Sequence, residues 1–85
     1  MYKVLAYRKA LKFYKSLDKK TASRIDIAIE RLRRNPFSHK NIKKLSGEFA
    51  GSYRYRMGNI RIIYSVNTKE NTIYIEVIER RGKVY

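Results

Sequence analysis

Few folds are open to a chain that contains the stretch Ser52–Ser65, SYRYRMGNIRIIYS. Two alternating runs flank Gly58-Asn59, a two-residue hairpin signal because both residues tolerate positive φ. With the turn there, Met57 faces Ile60, Arg56 faces Arg61, Tyr55 faces Ile62 and Tyr53 faces Tyr64. Cross-strand partners share a face, and neighbours along a strand alternate. One face is then Tyr53, Tyr55, Met57, Ile60, Ile62 and Tyr64, a surface suited to a core. The other carries Arg54, Arg56 and Arg61. Like charges set opposite each other destabilise a hairpin, so three guanidinium groups at one place point to an anionic ligand.

The rest of the chain supplies layers for this hairpin. Tyr2–Tyr7 reads as a first strand with Val4 and Leu5 buried. Ala10, Phe13, Tyr14 and Leu17 then repeat at i, i+3, i+4 and i+7, one face of a short helix over Arg8–Leu17. Asp18 is placed as the N-cap of a second helix, in which Ala22, Ile25, Ala28, Ile29 and Leu32 form the apolar side. That helix must end near Asn35, because Pro36 disfavours helical geometry in the residue before it. Pro36–Ile42 is a loop anchored by Phe37, Lys43–Leu45 a short strand and Gly47–Gly51 a turn. After the hairpin, Asn67–Asn71 turns the chain into Thr72–Ile78, TIYIEVI, a third long strand. The expected fold is α+β: two antiparallel helices on one face of a small, mainly antiparallel sheet, in the order β-α-α-β-β-β. Residues 1–85 form a single domain in this reading.

Joining Val66 to Thr72 across the second turn sets Arg61 opposite Val77 and Ile63 opposite Ile75. Odd-numbered residues of the last strand then share the face of Arg61. Continued past Ile78, the alternation brings Arg81 to that side with Tyr85 near it. A slip of one residue would reverse the assignment.

Charge decides the class of partner. Lys and Arg number 21 against 7 acids, a formal net charge of +14 in 85 residues. Such an excess suits a polyanion, whether nucleic acid, acidic protein or anionic membrane, while a merely solubilised surface needs no single sign. Neither a 20-residue apolar run nor a signal-peptide pattern occurs, so a cytoplasmic protein without membrane association is expected. Without cysteine there is no disulfide, thiolate metal site or thiol nucleophile. One histidine, His39, excludes a paired-histidine ribonuclease and reads as a loop residue. The acids Asp18, Asp26, Glu30, Glu48, Glu70, Glu76 and Glu79 lack the spacing of a two-metal site, so neither metal nor other cofactor is expected. Positive charge and positioning remain, which suffice for phosphoryl transfer. Glu76 and Glu79 are the acids placed to offset part of the arginine face.

The order strand–helix–helix, then KKLSG, YRYRMGNIRIIYSV, IYIEVIERR and a terminal VY, resembles the RelE/ParE superfamily of toxins, and within it the RelE-like branch. The resemblance spans essentially the whole chain. It rests on Tyr53-Arg54-Tyr55-Arg56, Gly58-x-x-Arg61-x-x-Tyr64 and Arg81-x-x-Val84-Tyr85 taken in order. It implies the toxin of a toxin–antitoxin pair: a ribosome-dependent, metal-independent endoribonuclease that cuts messenger RNA in the ribosomal A site by 2′-hydroxyl attack.

Carried onto this chain, the family pattern gives Arg54 and Arg56 the task of activating the hydroxyl and Arg61 that of stabilising the transition state. Arg81 matches the candidate general acid, and Tyr85 the residue that stacks on or orients the base. Arg54, Arg56, Arg80, Lys83, Lys43 and Lys44 are the candidates for RNA or ribosome contact. RelE itself has lysines where this chain has Arg54 and Arg56. Arginine holds its proton too tightly to be a plain base but can stabilise anionic charge. The implied partners are the ribosome with its messenger RNA and a RelB-like antitoxin, an acidic, amphipathic segment wrapping the toxin in a heterodimer or heterotetramer. Two other functions share the charge and fold: a ParE-like gyrase poison without ribonuclease activity, and a non-catalytic basic RNA-binding module.

Overall fold

In the computed structural model, which describes residues 1–80, Lys3–Ala6 forms β1, and the helices α1, Arg8–Lys15, and α2, Lys19–Arg34, follow. Next come β2, Ile42–Lys44, a single 3₁₀ turn at Gly47–Phe49, β3, Tyr53–Met57, β4, Ile60–Asn67, and β5, Thr72–Arg80. The five strands make one sheet in the order β1-β5-β4-β3-β2. Among the described residues, only the β1–β5 pair is parallel. The α+β architecture is the expected one, with β2 as a fourth, short strand after the helices.

The helices begin and end where local chemistry requires. Asp18 caps α2 by accepting a hydrogen bond from the Thr21 backbone N–H at 3.4 Å. Asn35 leaves helical geometry with φ −158° and ψ 99°, as the following proline demands. From the helices, Ala10, Ile25, Ala28 and Leu32 are buried against Tyr55, Ile60, Ile62 and Tyr64 of β3 and β4. Ile73, Ile75 and Ile78 of β5 complete that cluster, while Phe13, Tyr14, Leu17 and Ile29 pack around its margin. The Tyr64 hydroxyl donates to the Pro36 carbonyl at 2.7 Å, which ties the loop after α2 to the centre of the sheet. Burial, with the neighbouring Tyr53 and Tyr55, raises the Tyr64 pKa well above that of an ordinary phenol.

The hairpin has the expected register at every position, Met57 with Ile60 through Tyr53 with Tyr64. Gly58 has φ 60°, and Asn59 does not join it at positive φ. This fits a II′ turn, whose first central position calls for glycine.

The second turn differs. Asn67 pairs with Thr72, one residue later than expected. A register shift between Ile63 and Tyr64 then takes up a further residue, so Ile63 pairs with Val77 whereas Tyr64 pairs with Ile75. Glu76 is the extra residue of a β-bulge. Arg61 therefore faces Glu79, not Val77. Odd-numbered Ile73 and Ile75 lie in the helix-side core, contrary to the alternation drawn from sequence, but past the bulge Val77 and Glu79 return to the side of Arg61. Two one-residue shifts cancel in parity.

Two smaller expectations also change. Leu5 of β1 is 49% exposed, because the helices cover only the other side of this edge strand. Phe37 keeps 45% exposure, although its ring packs edge-on against Tyr2 and Tyr53. The adjacent Pro36 is the residue fully buried at that anchor.

Candidate functional site

The face of the sheet away from the helices is built in rows by the strand register. In one row Lys43 pairs with Arg54, Arg54 with Ile63 and Ile63 with Val77. In the next, Arg56 pairs with Arg61 and Arg61 with Glu79. Paired residues share a face, so Lys43, Arg54, Arg56 and Arg61 stand together on it. Ile63, 1% exposed and outside the helix-side cluster, gives this face an apolar floor. Such a surface offers a phosphate several donors with little competing solvation from below.

Arg54 and Arg61 are partly buried, and Arg56 is exposed. Arg61 is anchored: its Nε donates to Glu79 Oε2 at 2.8 Å, and its Nη2 donates to the same oxygen. The pair is partly open, with side-chain exposures of 37% and 38%. Glu79 explains how two arginines tolerate direct cross-strand opposition, since the row reads plus, plus, minus. At the edge of the face Ser52 is 7% exposed, and its hydroxyl donates to Glu76 Oε1 at 2.9 Å. The bulge is what turns both Glu76 and Val77 to this side.

Other residues proposed from sequence lie elsewhere. Lys44 pairs with Tyr53 and thus belongs to the opposite face, at the outer edge. Arg80 pairs with Ile60, again on the helix side. Asp18 has a lowered pKa, chiefly through the Thr21 hydrogen bond and with a lesser contribution from the charge of Arg80. This puts Arg80 near the start of α2. Arg81, Lys83 and Tyr85 lie outside the described residues. His39 is half-buried in its loop; Nδ1 accepts from the Asn41 backbone N–H at 3.0 Å and the ring lies 5.5 Å from that of Tyr55. It serves the loop.

Sequence reasoning named Glu79 only as one of two general compensators and gave Lys43 no partner. The β2–β3 register, set by a three-residue strand, had no signal strong enough to pair Lys43 with Arg54. Among the described residues no group of three or more His, Asp or Glu side chains could hold a metal ion. Nor is any helix among them long and apolar enough to cross a membrane.

Comparisons with known proteins agree with this architecture. The crystal structure of the archaeal RelE–RelB complex from Pyrococcus horikoshii contains a chain 32% identical to this one, with 98% of each covered and a TM-score of 0.82. The RelBE2 toxin–antitoxin complex from Mycobacterium tuberculosis gives 26% identity over 94% of this chain and 98% of that one, with a TM-score of 0.80. Isolated Escherichia coli RelE, at 16% identity, shares the fold with a TM-score of 0.83 over 99% of this chain and 88% of its own. Comparison with curated proteins gave no match. A sequence profile described as the ParE toxin of the type II toxin-antitoxin system, parDE, matches residues 4–85. The chain therefore belongs to the ParE toxin family of type II toxin–antitoxin systems, within the RelE/ParE superfamily.

Proposed function

We propose that this toxin is a ribosome-dependent endoribonuclease that cleaves messenger RNA in the A site without a metal ion. The observation that carries the reading is the convergence of Arg54, Arg56, Arg61 and Lys43 on one sheet face over Ile63. In the reaction the ribose 2′-oxygen attacks the adjacent phosphorus and the bond from phosphorus to the 5′-oxygen breaks. A 2′,3′-cyclic phosphate and a 5′-hydroxyl result. Negative charge grows on the 2′-oxygen as its proton passes to solvent water, and on the non-bridging oxygens of the phosphorane. Arg54 and Arg56 stabilise the first, and Arg61 the second, by fixed charge and hydrogen bonds. Arg81 protonates the leaving oxygen and Tyr85 orients the base. The 32% identity with the archaeal RelE over nearly the full length supports this branch.

The partner follows from the same charge. A RelB-like antitoxin, acidic and amphipathic, would cover the arginines in a heterodimer or heterotetramer; the similar chains from Pyrococcus horikoshii and Mycobacterium tuberculosis belong to a RelE–RelB and a RelBE2 toxin–antitoxin complex. The cytoplasm, where ribosomes are, is the site of action.

A second reading comes from the profile match to ParE: inhibition of DNA gyrase with no RNA cleavage. Incubating the antitoxin-free toxin with ribosomes programmed with a defined messenger separates the two. Cuts within the A-site codon support the nuclease; intact RNA alongside gyrase inhibition supports the alternative.

A further inference from the structure

Resting on the nuclease reading, we infer that Glu79 is the positioning residue for Arg61, holding its guanidinium edge-on so that the opposite edge meets the scissile phosphate. Both hydrogen bonds from Arg61 end on one oxygen, Glu79 Oε2, and come from Nε and Nη2. A guanidinium has five N–H donors in a rigid plane. Engaging two along one edge fixes that plane, and the three remaining donors, two on Nη1 and one on Nη2, form the outer edge. Among the described residues Nη1 has no partner. The carboxylate reaches Arg61 because the one-residue shift at the second turn and the bulge at Glu76 together bring Glu79, not Val77, opposite it.

Glu79 also adds a negative charge to a site built to bind an anion. These two effects have opposite signs in different steps. Removing the carboxylate favours ground-state RNA binding, because a repulsive charge goes. It slows the chemical step, because the guanidinium is no longer held where charge develops. A side chain that only supported the fold would not divide binding and rate in this way.

The test uses the full-length toxin released from its antitoxin, with Glu79→Ala and Glu79→Gln variants whose folding is matched by circular dichroism and thermal melting. Single-turnover cleavage on programmed ribosomes gives the rate. A messenger carrying 2′-deoxyribose at the scissile position gives binding without turnover. Glu79→Ala is expected to slow cleavage by at least about tenfold, within the roughly hundredfold range of a misplaced catalytic group, while binding the deoxy messenger as tightly as wild type or more tightly. Glu79→Gln, which keeps an acceptor oxygen at the same reach, should recover part of the rate. The Arg61 Nε–H resonance, assigned with Arg61→Lys, should show slow exchange in the wild type and lose it in Glu79→Ala. A normal rate in a folded Glu79→Ala protein, or weaker binding in step with a slower rate, overturns the inference and leaves the nuclease reading standing. Failure of the folded wild type to cleave sinks the nuclease reading and this inference with it, while the Nε–H exchange still reports whether the pair forms.

Discussion

Replacing Tyr64 by Phe removes one oxygen from the centre of the molecule and leaves the ring. Tyr64 has no exposed surface, and its hydroxyl gives the Pro36 carbonyl its hydrogen bond at 2.7 Å. The net value of such a bond is about 1 kcal/mol, and a buried carbonyl left without its donor adds its own penalty, so the expected loss is about 1–2 kcal/mol. For a domain of this size that corresponds to a fall in Tm of roughly 4–16 °C. The pH dependence is the sharper test. Burial raises the folded-state pKa of Tyr64 above its ordinary value of 10.0. Above that pH the unfolded chain releases the Tyr64 proton while the folded chain retains it, so this group lowers the stability of the wild type as pH rises. Tyr64→Phe lacks the titration. The stability gap between the two proteins should therefore be constant at lower pH and shrink by about 1.4 kcal/mol per pH unit above about pH 10. Urea unfolding at several pH values measures it. A gap that stays fixed or widens to about pH 11 would refute both the burial argument and its sign.

The remaining predictions concern the turn and the cationic face. Gly58→Ala should cost about 1 kcal/mol from the positive φ alone, since the added Cβ would meet Arg24 Nη2 only at an ordinary contact distance of 3.6 Å; denaturant unfolding with an unchanged m-value checks this. Lys43→Ala should weaken binding to a short RNA and reduce the log–log salt slope by about 1, whereas Lys44→Ala, on the other face, should leave the slope nearly unchanged. Filter binding across a salt series distinguishes them, and equal effects would refute the face assignment.

The contrast between the two turns shows what a sequence of this kind makes legible. At Gly58-Asn59 a two-residue loop fixes register, and all five observed pairs from Tyr53–Tyr64 to Met57–Ile60 follow from it. Between β4 and β5 the loop is longer, and no residue type marks where pairing resumes. The bulge at Glu76 leaves even less trace, because the alternation of TIYIEVIE can be read in either parity. Placing Ile73 and Ile75 required the helices that bury them. Helical periodicity located Ile25, Ala28 and Leu32, since a 16-residue helix repeats its apolar side often enough to be read. In four-residue β1 a parallel edge position left Leu5 half open, which hydrophobicity alone could not show. The arginine cluster was legible because it depends only on the hairpin. Its carboxylate anchor was not, because Glu79 reaches Arg61 through the shift at the second turn and the bulge together.

The central claim is that the arginine face performs RNA cleavage, and Arg61→Ala tests it most directly. The variant and the wild type, both antitoxin-free and shown to be folded, would be added to ribosomes holding a messenger with an empty A site. The products would then be mapped by primer extension. Wild type should cut within the A-site codon in the presence of a chelator and leave a cyclic phosphate, and Arg61→Ala should be slower by about a hundredfold or more, the scale of losing one transition-state donor. Equal cleavage by the variant, or no cleavage by the wild type on ribosomes that a RelE nuclease can use, would contradict the account.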